Sequence, residues 1–141
     1  MKNLVFIVTS IFALALCLRA GENHDHGHSH EHIAIPPTLP EVRVEIAAQQ
    51  KKLSESLAAR DAKAAHEATD VMAALVLAIP GKAEGLDETT LQRLKGMASN
   101  AARAWGNVAH DAEHGDYDKA GREAVKADAA YRLIEARLAR Q

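Results

Sequence analysis

Five histidines fall within nine residues, in the run His24-Asp25-His26-Gly27-His28-Ser29-His30-Glu31-His32. Each is separated from the next by one small or acidic residue. Imidazole nitrogen ligates zinc, copper(II) and nickel(II), and with an ordinary pKa near ~6.5 most of it is neutral and able to bind at pH 7. Asp25 and Glu31 add carboxylate oxygens that offset the charge of a bound cation. A packed core has no use for five imidazoles in so short a span, and a solvated linker is built from Ser, Gly, Glu and Lys instead. The expected metal ligands are therefore His24, Asp25, His26, His28, His30, Glu31 and His32. Histidines two apart on an extended chain stand roughly 6.6 to 7 Å apart, too far for both to reach one ion at metal–nitrogen distances of about 2.0 to 2.1 Å. The tract must bend around each ion and lose chain entropy, while several ligand sets compete for the same metal. This pattern predicts buffering, capture or delivery of a divalent transition metal rather than a rigid catalytic centre. It leaves zinc, copper(II) and nickel(II) all open.

Three further histidines, His66, His110 and His114, are candidates for an accessory site. His110 and His114 are four apart, a helical spacing that lets two imidazoles meet one ion. At 100° per residue, however, both point away from the apolar seam of their helix, and His66 points away from its own. Ordinary solvated histidines and a surface metal site both fit that orientation.

The tract follows a leader. Lys2 supplies a positive charge, Leu4 to Leu18 are almost all apolar, and Leu18-Arg19-Ala20 offers a small residue at a cleavage position. This predicts a secretory signal over residues 1–20, cut after Ala20, because the apolar run is shorter than the roughly 20 residues of a membrane span. The expected location is the periplasm, or the exterior. Cys17 is the only cysteine and lies in the leader. Leu14-Ala15-Leu16-Cys17 has the look of a lipoprotein box, but Leu16 stands where a small residue is usual, so lipid anchoring is the lesser expectation. Removing Lys2 and Arg19 from the 17 basic residues leaves 15 against 19 acidic ones, a balance of minus 4. Nothing in that balance suggests the basic face a nucleic-acid partner requires, and none is expected.

After the tract, Ile33-Ala34-Ile35-Pro36-Pro37-Thr38-Leu39-Pro40 is a proline-punctuated joint that holds the chain extended. Residues 21–37 thus form a flexible histidine-rich arm and linker, and residues 38–141 a helical body. No stretch of that body alternates as a half-buried strand does. Thr38 with Glu41 predicts a capping box, followed by a stripe of Val42, Ile46, Gln49, Leu53 and Leu57. The phase breaks at Arg60-Asp61. Asp61 can cap a second helix with Ala65, Ala68, Met72, Leu75 and Ile79 inward, stopped by Pro80-Gly81. Asp87 can cap a third with the seam Leu91, Leu94, Ala98, Ala101, Trp105, Val108 and Ala112. Gly115 ends it, and Asp116 can cap a fourth with Ala120, Ala124, Ala127, Tyr131, Ile134 and Leu138 inward. Short turns make neighbouring helices antiparallel, so the expected fold is all-α, an up-down-up-down four-helix bundle of two hairpins with a disordered N-terminal arm. A shift of 56 residues matches Lys63/Lys119, Ala64/Ala120, Glu67/Glu123, Ala68/Ala124, Ala73/Ala129, Ala74/Ala130 and Leu77/Leu133. Duplication of a hairpin and chance agreement of alanine-rich helices both account for it.

Catalysis finds no footing. The chain has no Gly-x-Ser-x-Gly elbow, no His-Glu-x-x-His helix and no Cys-x-x-Cys-His for covalent heme. Met72 on the core stripe reads as filler rather than as a heme ligand. A non-enzymatic protein is expected.

Two likenesses carry the reading further. The leader followed by His24 to His32 is similar to the histidine-rich segments of exported bacterial zinc, nickel and copper handling proteins. The pattern from Leu53 through Leu57, Ala58 and Asp61 to Ala65 resembles the Leu-x-x-x-Leu-Ala-x-x-Asp-x-x-x-Ala signature of an alanine-rich helical domain of unknown function. That domain occurs in bacterial periplasmic proteins, some of them adaptor subunits of heavy-metal efflux pumps. The resemblance implies a metal-resistance setting and a transporter or efflux component as partner, but it transfers no binding residue. A second copy of the chain is a further expected partner, since Trp105, Tyr117 and Tyr131 are the only aromatics of the body. The competing expectation is a structural or partner-binding bundle whose histidine tract is incidental.

Overall fold

A computed structural model describes residues 33–140. Four helices follow one another: α1 (Leu39–Ala59), α2 (Ala62–Lys82), α3 (Glu88–Glu113) and α4 (Tyr117–Leu138). Among the described residues there is no strand, and no helix is long and apolar enough to cross a membrane. The segment expected to be a secretory signal, Cys17 and the histidine tract lie outside the described residues.

Each helix starts where the sequence places a cap. The Thr38 hydroxyl accepts from the Glu41 amide at 3.4 Å, and the Glu41 carboxylate accepts from the Thr38 amide at 3.1 Å, closing the capping box. Asp61, Asp87 and Asp116 accept from Ala64, Thr90 and Lys119 amides at 2.9 to 3.0 Å. These contacts satisfy amides that a helix start otherwise leaves without partners. α1 ends at Arg60, whose backbone is left-handed (φ 55, ψ 40). That conformation costs a non-glycine residue about 1 to 2 kcal/mol. It closes two hydrogen bonds, Arg60 amide to Leu57 carbonyl at 3.2 Å and Asp61 amide to Ser56 carbonyl at 2.9 Å. It also lets α2 start within two residues of the end of α1. From across the molecule the Tyr117 hydroxyl donates to the Arg60 carbonyl at 2.8 Å, and the Arg60 guanidinium lies 5.9 Å from the centre of the Tyr117 ring.

The helix order is antiparallel throughout. Arg43 meets Glu135 at 2.8 Å and Gln50 meets Asp128 at 2.7 Å, so a step of seven up α1 is a step of seven down α4. α3 packs extensively on both α2 and α4, and α1 packs on α2. α1 and α4 touch sparsely, and between them lies a groove of about 330 Å³ whose α4 wall is Gly121, Ala124, Val125 and Asp128.

The core has two clusters. One, toward the start of α1, gathers Val42, Ile46, Leu75, Val76, Ile79, Leu94 and Ile134 with two alanines. The other centres on Trp105, 1% exposed, among Leu53, Met72, Val108 and five buried alanines of α2, α3 and α4. Every expected inward residue of α2 is fully buried, as is the α3 seam from Leu94 onward, while Leu91 is half-buried. On α4 only Ala120, Ala127 and Ile134 are buried; Ala124, Tyr131 and Leu138 are half-buried because the α1 side of α4 is open.

Two expectations need adjustment. α2 does not stop at Pro80 but runs on to Lys82, with Pro80 itself buried. A proline removes one amide and crowds the carbonyl four residues back, and in the last turn that disturbance ends the helix within a few residues. The equivalence between α2 and α4 is 55 residues, not 56. The caps (61 to 116) and the buried positions (65 to 120, 72 to 127, 79 to 134) all obey it. A slip of one residue turns a helix by 100°. The 56-residue matches therefore pair buried Ala120 with half-buried Ala64 and buried Ala68 with half-buried Ala124. The identities at a shift of 56 do not fall on equivalent positions of the two helices.

Replacing Trp105 by alanine should cost about 3 to 5 kcal/mol, because the surrounding methyl groups cannot collapse into the space. Urea unfolding followed by circular dichroism reads it directly. In the open wall of α4, Gly121 is helical and an added Cβ would meet nothing within 4 Å. Gly121→Ala should raise stability by about 0.5 to 1 kcal/mol in the same assay.

Candidate functional site

The ligands expected from the sequence, His24, Asp25, His26, His28, His30, Glu31 and His32, lie outside the described residues. What is visible is how their chain joins the bundle. Ile35 and Leu39 pack on the first core cluster, and Lys82 Nζ donates to the Pro37 carbonyl at 3.1 Å. The last part of the proline joint is therefore bound to the end of the bundle formed by the start of α1 and the end of α2.

The helical histidines sit at the other end, where α2 begins and α3 finishes. Antiparallel packing brings the first turns of α2 beside the last turn of α3, and His66, 32% exposed, lies between them. Its Nδ1 is 2.6 Å from Glu113 Oε1 and its Nε2 is 3.1 Å from Asp70 Oδ2. The two carboxylates lie against different nitrogens of the ring. The Glu113 contact ties α2 to α3, whereas Asp70 lies one turn along α2 from His66 itself. His110 and His114 are exposed, as the helical phase predicts, with ring centroids 4.3 Å apart. The structure thus brings His110 and His114 together and engages His66 in a separate contact. Among the described residues, no group of three or more His, Cys, Asp or Glu side chains is arranged to hold a metal ion.

One charged pair at this end was not foreseen. Asp111, 5% exposed, receives a hydrogen bond from Lys119 Nζ at 2.8 Å, and the Asp116 amide donates to the Asp111 backbone carbonyl at 3.0 Å. The hydrogen bond that Lys119 donates to Asp111, reinforced by the charge of Asp111, raises the Lys119 pKa above its ordinary 10.5. The sequence held a faint signal, since Asp111 adjoins the seam residue Ala112 and Lys119 lies just past a short turn. At the opposite end, Asp87 takes both the amide and the hydroxyl of Thr90, at 2.9 and 2.6 Å, and these bonds hold its carboxyl below 3.8. Arg137 Nη2 donates to the same Thr90 hydroxyl at 3.0 Å, joining α4 to the start of α3. Tyr131 is half-buried, and burial first, then the charge of Glu135, push its hydroxyl above the usual tyrosine range.

Compared with protein-family models, with curated proteins and with solved structures, the chain matches none.

The Lys119 contact has a pH signature. A cation whose folded pKa is raised contributes its full stabilisation below 10.5 and loses it as pH rises through the folded value. Lys119→Met should lower the melting temperature at neutral pH, because it strands the buried Asp111 carboxylate. The gap from the wild type should narrow in alkaline solution, as thermal unfolding at a series of pH values would show.

Proposed function

We propose that this protein captures and hands over divalent transition metal ions outside the cytoplasm, through the histidine tract of residues 24–32, and that it is not an enzyme. The observation that carries the reading is the alternation of five imidazoles with small and acidic residues. Neutral histidine suits zinc, copper(II) and nickel(II), and the neighbouring carboxylates reduce the net charge of the complex. A set of near-equivalent ligands exchanges metal readily, which fits delivery to a transporter or efflux component better than permanent storage. The helical unit serves as the folded body that carries the tract, with Ile35 and Leu39 anchoring the joint to its core. The apolar run from Leu4 to Leu18, with the small Ala20 after it, supports a setting in the periplasm or the exterior.

A second reading, a partner-binding bundle whose tract is incidental, is favoured by the groove between α1 and α4. The two are separated by titrating the chain with Zn²⁺, Cu²⁺ and Ni²⁺ beside a version lacking residues 21–32. Metal capture predicts that the deletion removes most of the binding capacity. It also predicts that binding by the intact chain fades below pH of about 6, where imidazolium cannot ligate. Equal binding by both proteins, or a pH-independent isotherm, supports the second reading instead.

A further inference from the structure

We propose that His110 and His114 form a bidentate site for a divalent transition metal ion on the helical unit, one that does not depend on the histidine tract. The two imidazoles are exposed at the end of α3, with ring centroids 4.3 Å apart and planes inclined by 44°. The backbone between them stays helical, since the His114 amide donates to the His110 carbonyl at 3.2 Å. The spacing that sets both rings over the same turn is therefore fixed before an ion arrives, and binding has only side-chain rotations to order.

A second contact prepares one of the ligands. His114 Nδ1 lies 2.9 Å from the His110 carbonyl oxygen. A carbonyl oxygen only accepts, so this contact is a hydrogen bond when Nδ1 carries the hydrogen, and the lone pair of the ring is then on Nε2. Metal-ligating histidines are commonly held in this way, with one nitrogen donating to a backbone carbonyl and the other left for the ion. The last carbonyls of α3 also carry the negative end of the helix dipole, which favours a cation there.

Among the described residues, the surroundings limit the protein ligands to two. Glu113, between the pair in sequence, is turned toward α2 and meets His66, which also contacts Asp70. Asp111 is buried against Lys119. Water completes the coordination sphere. With two imidazoles and open positions, the general order of divalent affinities ranks copper(II) first.

The test uses the full chain with His24, His26, His28, His30 and His32 all replaced by alanine, so that the tract contributes no imidazole. Titration of this chain with Cu²⁺, followed by electron paramagnetic resonance, should show one ion per chain held by two imidazole nitrogens. Adding either His110→Gln or His114→Gln should weaken binding by about tenfold or more and abolish the two-nitrogen signature. His66→Gln should leave both unchanged, and helical circular dichroism checks that each exposed-site variant remains folded. If the five-alanine chain gives no two-nitrogen signal, the proposal fails while the tract reading stands. Unchanged binding in both single variants overturns it equally.

Discussion

Close approach of helices through small side chains is the constraint on which this molecule depends. With one cysteine, the chain cannot form an internal disulfide, and its core is rich in alanine. A methyl group buries little apolar area, so alanine-lined faces stabilise a fold only where the helix axes come near enough for backbones and methyls to pack tightly. Trp105 makes that arrangement workable. It fills the volume that Ala65, Ala68, Ala112, Ala120 and Ala127 leave between α2, α3 and α4. α3 gains most from this and lies against both its neighbours, whereas α1 and α4 close on each other mainly through Arg43–Glu135 and Gln50–Asp128.

The polar contacts work at the ends, where the apolar core runs out. Tyr117 holds the α1–α2 turn through the Arg60 carbonyl, Lys119 neutralises Asp111 beside the α3–α4 turn, and His66 lies between α2 and α3. At the far end Asp87, Thr90 and Arg137 link the start of α3 to the end of α4. Exposed ion pairs contribute little each. The Asp111 contact differs, since a buried carboxylate without a cation would be strongly destabilising.

Apart from His66, which lies between α2 and α3, the histidines divide into two groups by what holds them. Those of the tract are defined by their spacing in the sequence alone. His110 and His114 owe their proximity to the helix and lie at the end of the bundle away from the proline joint. A protein with both would combine a multi-ligand capture segment with a sparse, pre-spaced pair that is easily vacated.

Much of the fold was legible in the residues. Thr38, Asp61, Asp87 and Asp116 announced the four helix starts because a capping side chain needs only its own next three residues. The buried stripe of α2 and the seam from Leu94 to Ala112 followed from period alone, since a face that repeats every 3.6 residues has one side to bury. What sequence left open depended on partners distant in the chain. The α2–α4 register is 55 because packing against α3 decides which face of α4 is inward, and alanine identity carries no such information. The partial burial of Tyr131 and Ala124 reflects an α1 that stands off, and the pairing of His66 with Glu113 across two helices required α2 and α3 to be placed side by side. Local rules fix where a helix begins and which side is apolar; only the assembled helices determine which side chains meet across the space between them.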